Sequence, residues 1–210
     1  MSRRDDLGRR FARLATDVVV RQPALWRAFR GLVARQFDGL APRWDELLGP
    51  DHLAPLEAAL AAIGAEPTRA LDLGTGTGAA AFAVARRFPR CEVVGVDLSP
   101  RMVEAARERT SAELADRVRF EVGDGAALPF GAASFDLVTL ANVIPFFDEL
   151  ARVVRPGGRV ALAFSGGPQT PIYVPPERLR SELEARGFSE FAEFAAGRGT
   201  SLLATRGGSS

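Results

Sequence analysis

The sequence predicts an α/β protein: a doubly wound, mostly parallel seven-stranded sheet with a C-terminal antiparallel hairpin, preceded by N-terminal helices. Three observations lead there. From Arg69 onward, short β-rich runs alternate with helical stretches, the pattern of successive βαβ units. The runs are almost continuously apolar, as parallel strands covered on both faces must be. The last two runs lie too close together for a helix to pass between them, so they pair antiparallel.

In chain order, Phe11, Leu14, Val18 and Val19 recur at helical spacing and predict a first helix, which Pro23 interrupts. Leu25, Trp26, Phe29, Leu32, Val33 and Phe37 make a second apolar face. Leu53, Leu56, Leu60 and Ile63 make a third, closed by Gly64. Strands are expected at Arg69–Leu73, Glu92–Asp97, Val118–Val122, Phe135–Ala141, Arg159–Ser165, Phe188–Ala195 and Ser201–Ala204. Between them, helices are expected at Ala79–Phe88, Pro100–Ala115, Phe146–Val154 and Pro176–Arg186. Ser99-Pro100 is a strong helix start, a capping hydroxyl followed by a proline whose φ is preset. Pro89 and Gly157-Gly158 are stops. The expected division is a helical segment over residues 1–65, acting as lid, substrate or interface element, and a ligand-binding domain over residues 66–206.

Composition narrows the chemistry. With 210 residues, 47% hydrophobic and 25% charged, the chain can bury a substantial core. No apolar run reaches the ~20 residues of a membrane span. The first residues, with Arg3, Arg4 and two aspartates, lack the apolar stretch of a signal peptide, so the cytoplasm is the expected compartment. A single cysteine, Cys91, excludes an intrachain disulfide and a cysteine zinc site, and its place at a strand start predicts an inert core thiol. The absence of lysine excludes Schiff-base chemistry and a P-loop. The one histidine, His52, cannot build a polyhistidine metal site, and no metal is expected; it reads as a surface or helix-end residue, or else as a proton carrier. An enzyme this poor in bases and nucleophiles borrows reactivity from a cofactor. Residues 1–45 hold ten arginines and five aspartates, net +5, leaving −4 for the rest. The arginine-rich helices read as a solvated face, a homodimer contact or a peripheral contact with anionic lipid.

In an open parallel sheet, ligands bind beyond the C-terminal ends of the central strands. The first strand here runs into Leu71-Asp72-Leu73-Gly74-Thr75-Gly76-Thr77-Gly78, whose glycines allow positive φ and close backbone approach. Gly74, Gly76 and Ala79 with Asp97 also fit the dinucleotide pattern G-x-G-x-x-A. Asp72 separates the two readings. A carboxylate just before the loop would repel a pyrophosphate, whereas a ligand carrying ammonium and sulfonium groups, as S-adenosylmethionine does, would be attracted to it unless the side chain turns away.

The ordered set of motifs resembles the class I S-adenosylmethionine-dependent methyltransferases, in particular the small-molecule group of ubiquinone and menaquinone methyltransferases. Leu71–Gly78 resembles the first motif, and Val94–Met102 the second. Gly123–Phe130 with Phe135–Val138 resembles the third and fourth, and Arg155–Gly158 the turn before the fifth strand. Phe37-Asp38 and Trp44-Asp45 add to the likeness, which covers roughly residues 66–205. It implies S-adenosylmethionine as cofactor, a small-molecule acceptor and no nucleic-acid partner. Asp72, Gly74, Thr75, Gly76 and Gly78 would form the loop under the cofactor. Asp97 would accept from both ribose hydroxyls, and Leu98 and Met102 would sandwich the adenine. Asp124 would take the adenine amino group, and Gly125 and Ala126 would offer N–H groups to the ring. Asn142 lies where methionine and acceptor should meet. Asp136, at the far end of its strand, is expected to be structural.

Methyl transfer is an in-line displacement that needs alignment more than side-chain chemistry. Asn142, Asp148, Tyr173 and His52 are the candidate bases or orienters. Residues 37–48 are expected to close over the cofactor, with Arg43 near its carboxylate; Trp44, Phe146 and Tyr173 complete the candidate substrate set. Ala141–Phe147 holds no Asn-Pro-Pro-Tyr-like motif for amide or amino nitrogens, and it is shorter than the family's often histidine-bearing insertion there. Transfer to a small aromatic or apolar acceptor is the leading expectation. A non-catalytic S-adenosylmethionine-binding regulator, an NAD(P)-dependent oxidoreductase and an RNA methyltransferase are the alternatives.

Overall fold

The computed structural model describes residues 13, 16, 19, 20 and 22–208. Phe11, Leu14 and Val18 of the expected first helix lie outside the described residues. Seven strands are found among the described residues: β1 (Arg69–Leu73), β2 (Glu92–Asp97), β3 (Val118–Val122), β4 (Phe135–Ala141), β5 (Val154–Phe164), β6 (Phe188–Ala196) and β7 (Gly199–Arg206). Their order across the sheet is β3-β2-β1-β4-β5-β7-β6, with β1 to β5 parallel and β7 antiparallel to both neighbours. The winding reverses between β1 and β4, so a crevice opens beyond their C-terminal ends.

The helices are α1 (Trp26–Leu40), α2 (Trp44–Leu47), α3 (Ala54–Ala61), α4 (Ala79–Arg87), α5 (Pro100–Glu108), α6 (Phe147–Val153) and α7 (Pro176–Glu184). One core layer joins Leu56 and Leu60 of α3, Val84 of α4 and Val103 of α5 to Val93 and Leu137 of the sheet. The other joins Leu150 and Val153 of α6 and Leu179 and Leu183 of α7 to Leu71, Val138 and Leu162. The central strands are buried on both sides, which is why they read as apolar runs instead of alternating ones.

The start of α5 follows its sequence signals: Ser99 Oγ accepts from the Met102 N–H at 3.1 Å, and Pro100 opens the first turn. Two boundaries differ from expectation by more than two residues. α5 stops at Glu108, where Thr110 Oγ1 donates to the Ala106 carbonyl and the chain turns through Ser111–Ala115. β5 begins at Val154 rather than Arg159, because Val154 already pairs with Phe135 while Arg159 pairs with Leu137. The intervening Arg155-Pro156-Gly157-Gly158 is an irregularity inside the ladder, with Gly157 at φ 75°, so the expected turn is instead a bulge.

At the N-terminal edge of the sheet, Asp136 Oδ2 accepts from Thr68 N and Arg69 N, each at 2.7 Å, and from Thr68 Oγ1 at 2.5 Å. Arg155 pairs with its other oxygen. Burial pushes this carboxyl upward, but the bonds from Thr68 and Arg69 and the charge of Arg155 outweigh it and hold the pKa below the ordinary 3.8. The aspartate is structural, far from the ligand end. An Asp136→Asn variant should be less stable by about 1–3 kcal/mol at neutral pH, read by urea denaturation. Because the folded pKa is depressed, that difference should persist above about pH 4 and shrink as the pH falls below it; a gap that widens in acid would refute the assignment.

Candidate active site

The crevice is floored by the loop after β1. Gly74, Gly76 and Gly78 all take positive φ (67°, 53° and 90°). A Cβ at Gly74 would collide with Val143, and one at Gly76 would come within 3.2 Å of Trp44 Nε1. The loop therefore needs glycine for its conformation and for its close neighbours. Its backbone is tied to the next strand: Gly74 N and Thr75 N donate to the Val96 carbonyl at 2.7 and 3.0 Å, and Gly76 N donates to Asp97 Oδ2 at 2.8 Å.

Asp72 turns away from the crevice. Its carboxylate is buried and accepts from Thr75 Oγ1 at 2.7 Å and from Thr139 Oγ1 of β4 at 2.8 Å. Burial pushes its pKa up from 3.8 to about 6, more than the threonine bonds pull it down. So it fastens loop to sheet, and any attraction it exerts on a cationic ligand acts through the loop rather than by contact.

Asp97 ends β2 at the crevice wall, where its two oxygens accept from Gly76 N and, at 2.9 Å, from Ser99 N. Burial raises its pKa. The crevice walls bring it together with Thr75, Leu98, Met102, Gly125, Asn142, Phe146 and Trp44. Asn142 sits at φ 58°, and its Oδ1 accepts from Ser165 N at 2.9 Å and from Ser165 Oγ, which fixes the turn leaving β4. The remaining walls are mostly apolar, including Val33, Phe37, Leu48, Leu53, Ile144 and Ile172, with Gln36, Thr77 and His52 among them. A half-buried carboxylate beside a glycine loop, with the apolar Leu98 and Met102 next to it, suits a ribose with an attached purine.

Besides Asp72, five predicted residues are not on that wall: Arg43, Tyr173, Asp124, Ala126 and Gly78, the last packed against Phe82 and Phe120. Arg43 is exposed and pairs with Glu46 at 3.2 Å, because the turn at Ala41–Arg43 points it outward. Tyr173 lies outside the crevice, stacked edge-on against Phe164 (5.3 Å between ring centres) and lining a second cavity with Val174 and Leu179. Asp124 lies just behind the wall formed by Gly123 and Gly125. Its Oδ1 accepts from Trp26 Nε1 at 2.7 Å and from Ala126 N at 3.0 Å, and its Oδ2 from Arg30 at 3.0 Å. Cys91 is buried, and its thiol is pushed up to about 12 by burial, so it is inert.

Sequence reasoning missed the stitches that hold the N-terminal helices over the crevice. Asp38 accepts from Ser99 Oγ at 2.5 Å, and Asp45 accepts from Thr77 Oγ1 at 2.8 Å and from Arg109. With Trp26 and Arg30 on Asp124, the segment is pinned behind β1, β2 and β3 in turn. The only signal was the pair Phe37-Asp38 and Trp44-Asp45, whose rings meet edge-on at 5.4 Å.

The raised pKa of Asp72 makes a stability prediction. The folded state favours its neutral form, so the cost of folding grows as the pH rises from about 4 to about 6 and is full above that. Asp72→Asn should therefore gain on the wild type by about 3 kcal/mol between pH 4 and pH 7.5, measured by urea denaturation at both. A pH-independent difference would mean that the carboxylate is solvated.

Residues 70–158 match the methyltransferase domain family. The chain is 40% identical over 142 residues to the demethylmenaquinone methyltransferase of Deinococcus radiodurans, covering 62% of this chain and 58% of that protein. It is 41% identical over 136 residues to a ubiquinone/menaquinone biosynthesis C-methyltransferase of Dinoroseobacter shibae, covering 60% of this chain and 50% of that one. The chain thus spans between half and two thirds of the length of such relatives. The fold is shared with a SAM-dependent methyltransferase from Aquifex aeolicus: TM-score 0.66, 19% identity, 79% of this chain and 97% of that chain covered. Residues 70–158 are thus matched as a methyltransferase domain, and the chain is similar in sequence to proteins named for ubiquinone and menaquinone methylation.

Proposed function

We propose that the chain transfers a methyl group from S-adenosylmethionine to a small aromatic acceptor, a quinone-type compound being the kind that its relatives' names suggest. The observation that carries this reading is the crevice itself. It has a polar end, where Asp97 meets the glycine loop, and a mostly apolar remainder that includes Trp44, Leu48, Leu53, Phe146 and Ile172. Asp97 would hold the ribose hydroxyls, Leu98 and Met102 the adenine faces, and the turn at Asn142 the methionine end. Bound there, S-adenosylmethionine supplies a methyl group already activated by its sulfonium. The protein's part is to align the acceptor and exclude water. The stitched helices α1 and α2 roof the crevice and would do both.

No described helix is long and apolar enough to cross a membrane, so an apolar acceptor would be drawn into the crevice from solution or from a lipid surface.

Calorimetric titration tests the reading. S-adenosylmethionine should bind saturably and NAD or NADP should not; Asp97→Ala should weaken binding by about 2–3 kcal/mol through loss of charge-assisted bonds. Dinucleotide binding, or an unaffected variant, would overturn it. A second prediction concerns Asp124. If the adenine amino group takes Oδ1, it must displace the Trp26 indole, so Trp26→Phe should tighten cofactor binding roughly five-fold, one hydrogen bond's worth. Weaker binding would mean that the indole itself serves as the contact.

A further inference from the structure

We propose that His52 is the proton acceptor for the methyl acceptor's hydroxyl, which commits the substrate to one bearing a phenolic O–H. The inference rests on the methyl-transfer reading above and deepens it. His52 lies in the turn between α2 and α3, on the crevice wall beside Leu48 and Leu53. Its Nδ1 is 2.8 Å from the Gly49 carbonyl oxygen, which can only accept. So Nδ1 carries the hydrogen, and in the neutral ring the lone pair is on Nε2. That Nε2 is buried and has no hydrogen-bond partner among the described residues. A buried acceptor left without a donor is costly and rare in a folded protein, and a ligand that supplies the donor accounts for it.

Elimination leads to the same atom. Among the described residues of the crevice wall, Asp97 and His52 are the two side chains with a basic atom able to accept a proton from an acceptor hydroxyl. Asp97 is engaged by Gly76 N and Ser99 N at the cofactor end. The other candidate bases are used elsewhere: Asn142 by Ser165, Asp148 by Arg186, while Tyr173 lies in the second cavity. The step is simple to balance. The phenolic O–H bond breaks, its electron pair stays on oxygen and enriches the ring, and the proton forms an N–H bond at Nε2. The imidazolium returns that proton to water that enters as product leaves, before Nε2 is covered again.

As the sole histidine, His52 gives one assignable imidazole signal. The test is ¹⁵N spectroscopy of histidine-labelled protein saturated with S-adenosylhomocysteine, titrated with 1,4-dihydroxynaphthalene and, separately, with its dimethyl ether. The expected result is a protonated Nδ1 and bare Nε2 in the free protein, with Nε2 alone moving toward the protonated position when the diol is added and not with the ether. An Nε2–H tautomer, a still Nε2, or equal shifts with both compounds would overturn the proposal. His52→Gln should leave S-adenosylhomocysteine affinity within about two-fold and lower kcat on the diol by roughly 10²–10⁴; an unchanged kcat would also overturn it. Calorimetry with S-adenosylhomocysteine on the same sample reports separately on the methyl-transfer reading, since its failure leaves the free-protein tautomer to judge His52.

Discussion

The site depends on a charge held inside the sheet. Asp72 sits near the end of the central strand with no access to water, bonded sideways to Thr139 of β4 and forward to Thr75 of the loop. A carboxylate there raises the free energy of folding, as its upward-shifted pKa records. In return it fixes the glycine loop relative to two strands at once. Glycines at positive φ give that loop freedom, and freedom alone would leave a floppy floor. The two threonine hydroxyls, with the backbone bonds to Val96 and Asp97, convert it into a rigid one. A preorganised floor suits a reaction whose main demand is alignment.

From that floor, the crevice is built in layers of increasing sequence distance. The loop and Asp97 come from adjacent parallel strands, so their proximity follows directly from strand order. Leu98, Met102 and Gly125 come from the turns after β2 and β3, one strand further out. The roof comes from residues before the sheet begins, and it is attached by side chains alone: Trp26 and Arg30 to Asp124, Asp38 to Ser99, Asp45 to Thr77. Exposed ion pairs such as Arg30–Asp124 contribute little each.

The opposite end of the sheet is organised by a different carboxylate. Asp136 is paired and hydrogen-bonded, so its pKa falls where that of Asp72 rises. Both carboxylates accept from hydroxyls and from backbone N–H groups, but Asp136 also has the charge of Arg155, whereas Asp72 is fully buried with Asp97 nearby, and there desolvation wins.

The sequence by itself determined the βαβ alternation, all seven strands, the antiparallel finish and the ligand loop, because apolar runs, glycine clusters and caps act over a few residues. It also marked Asp97, Leu98, Met102, Gly125 and Phe146, since strand order places the ends of neighbouring strands together. Only the tertiary structure decided where side chains point. Asp72 faces inward to its threonines, Tyr173 faces another cavity, Arg43 faces solvent, and the bulge at Arg155–Gly158 extends β5 backward. His52 is the clearest case. Nothing local distinguishes a histidine in a turn from any exposed one. Its role follows from the carbonyl that takes its Nδ1 hydrogen and from the crevice wall it joins, set by how the N-terminal segment packs against the sheet.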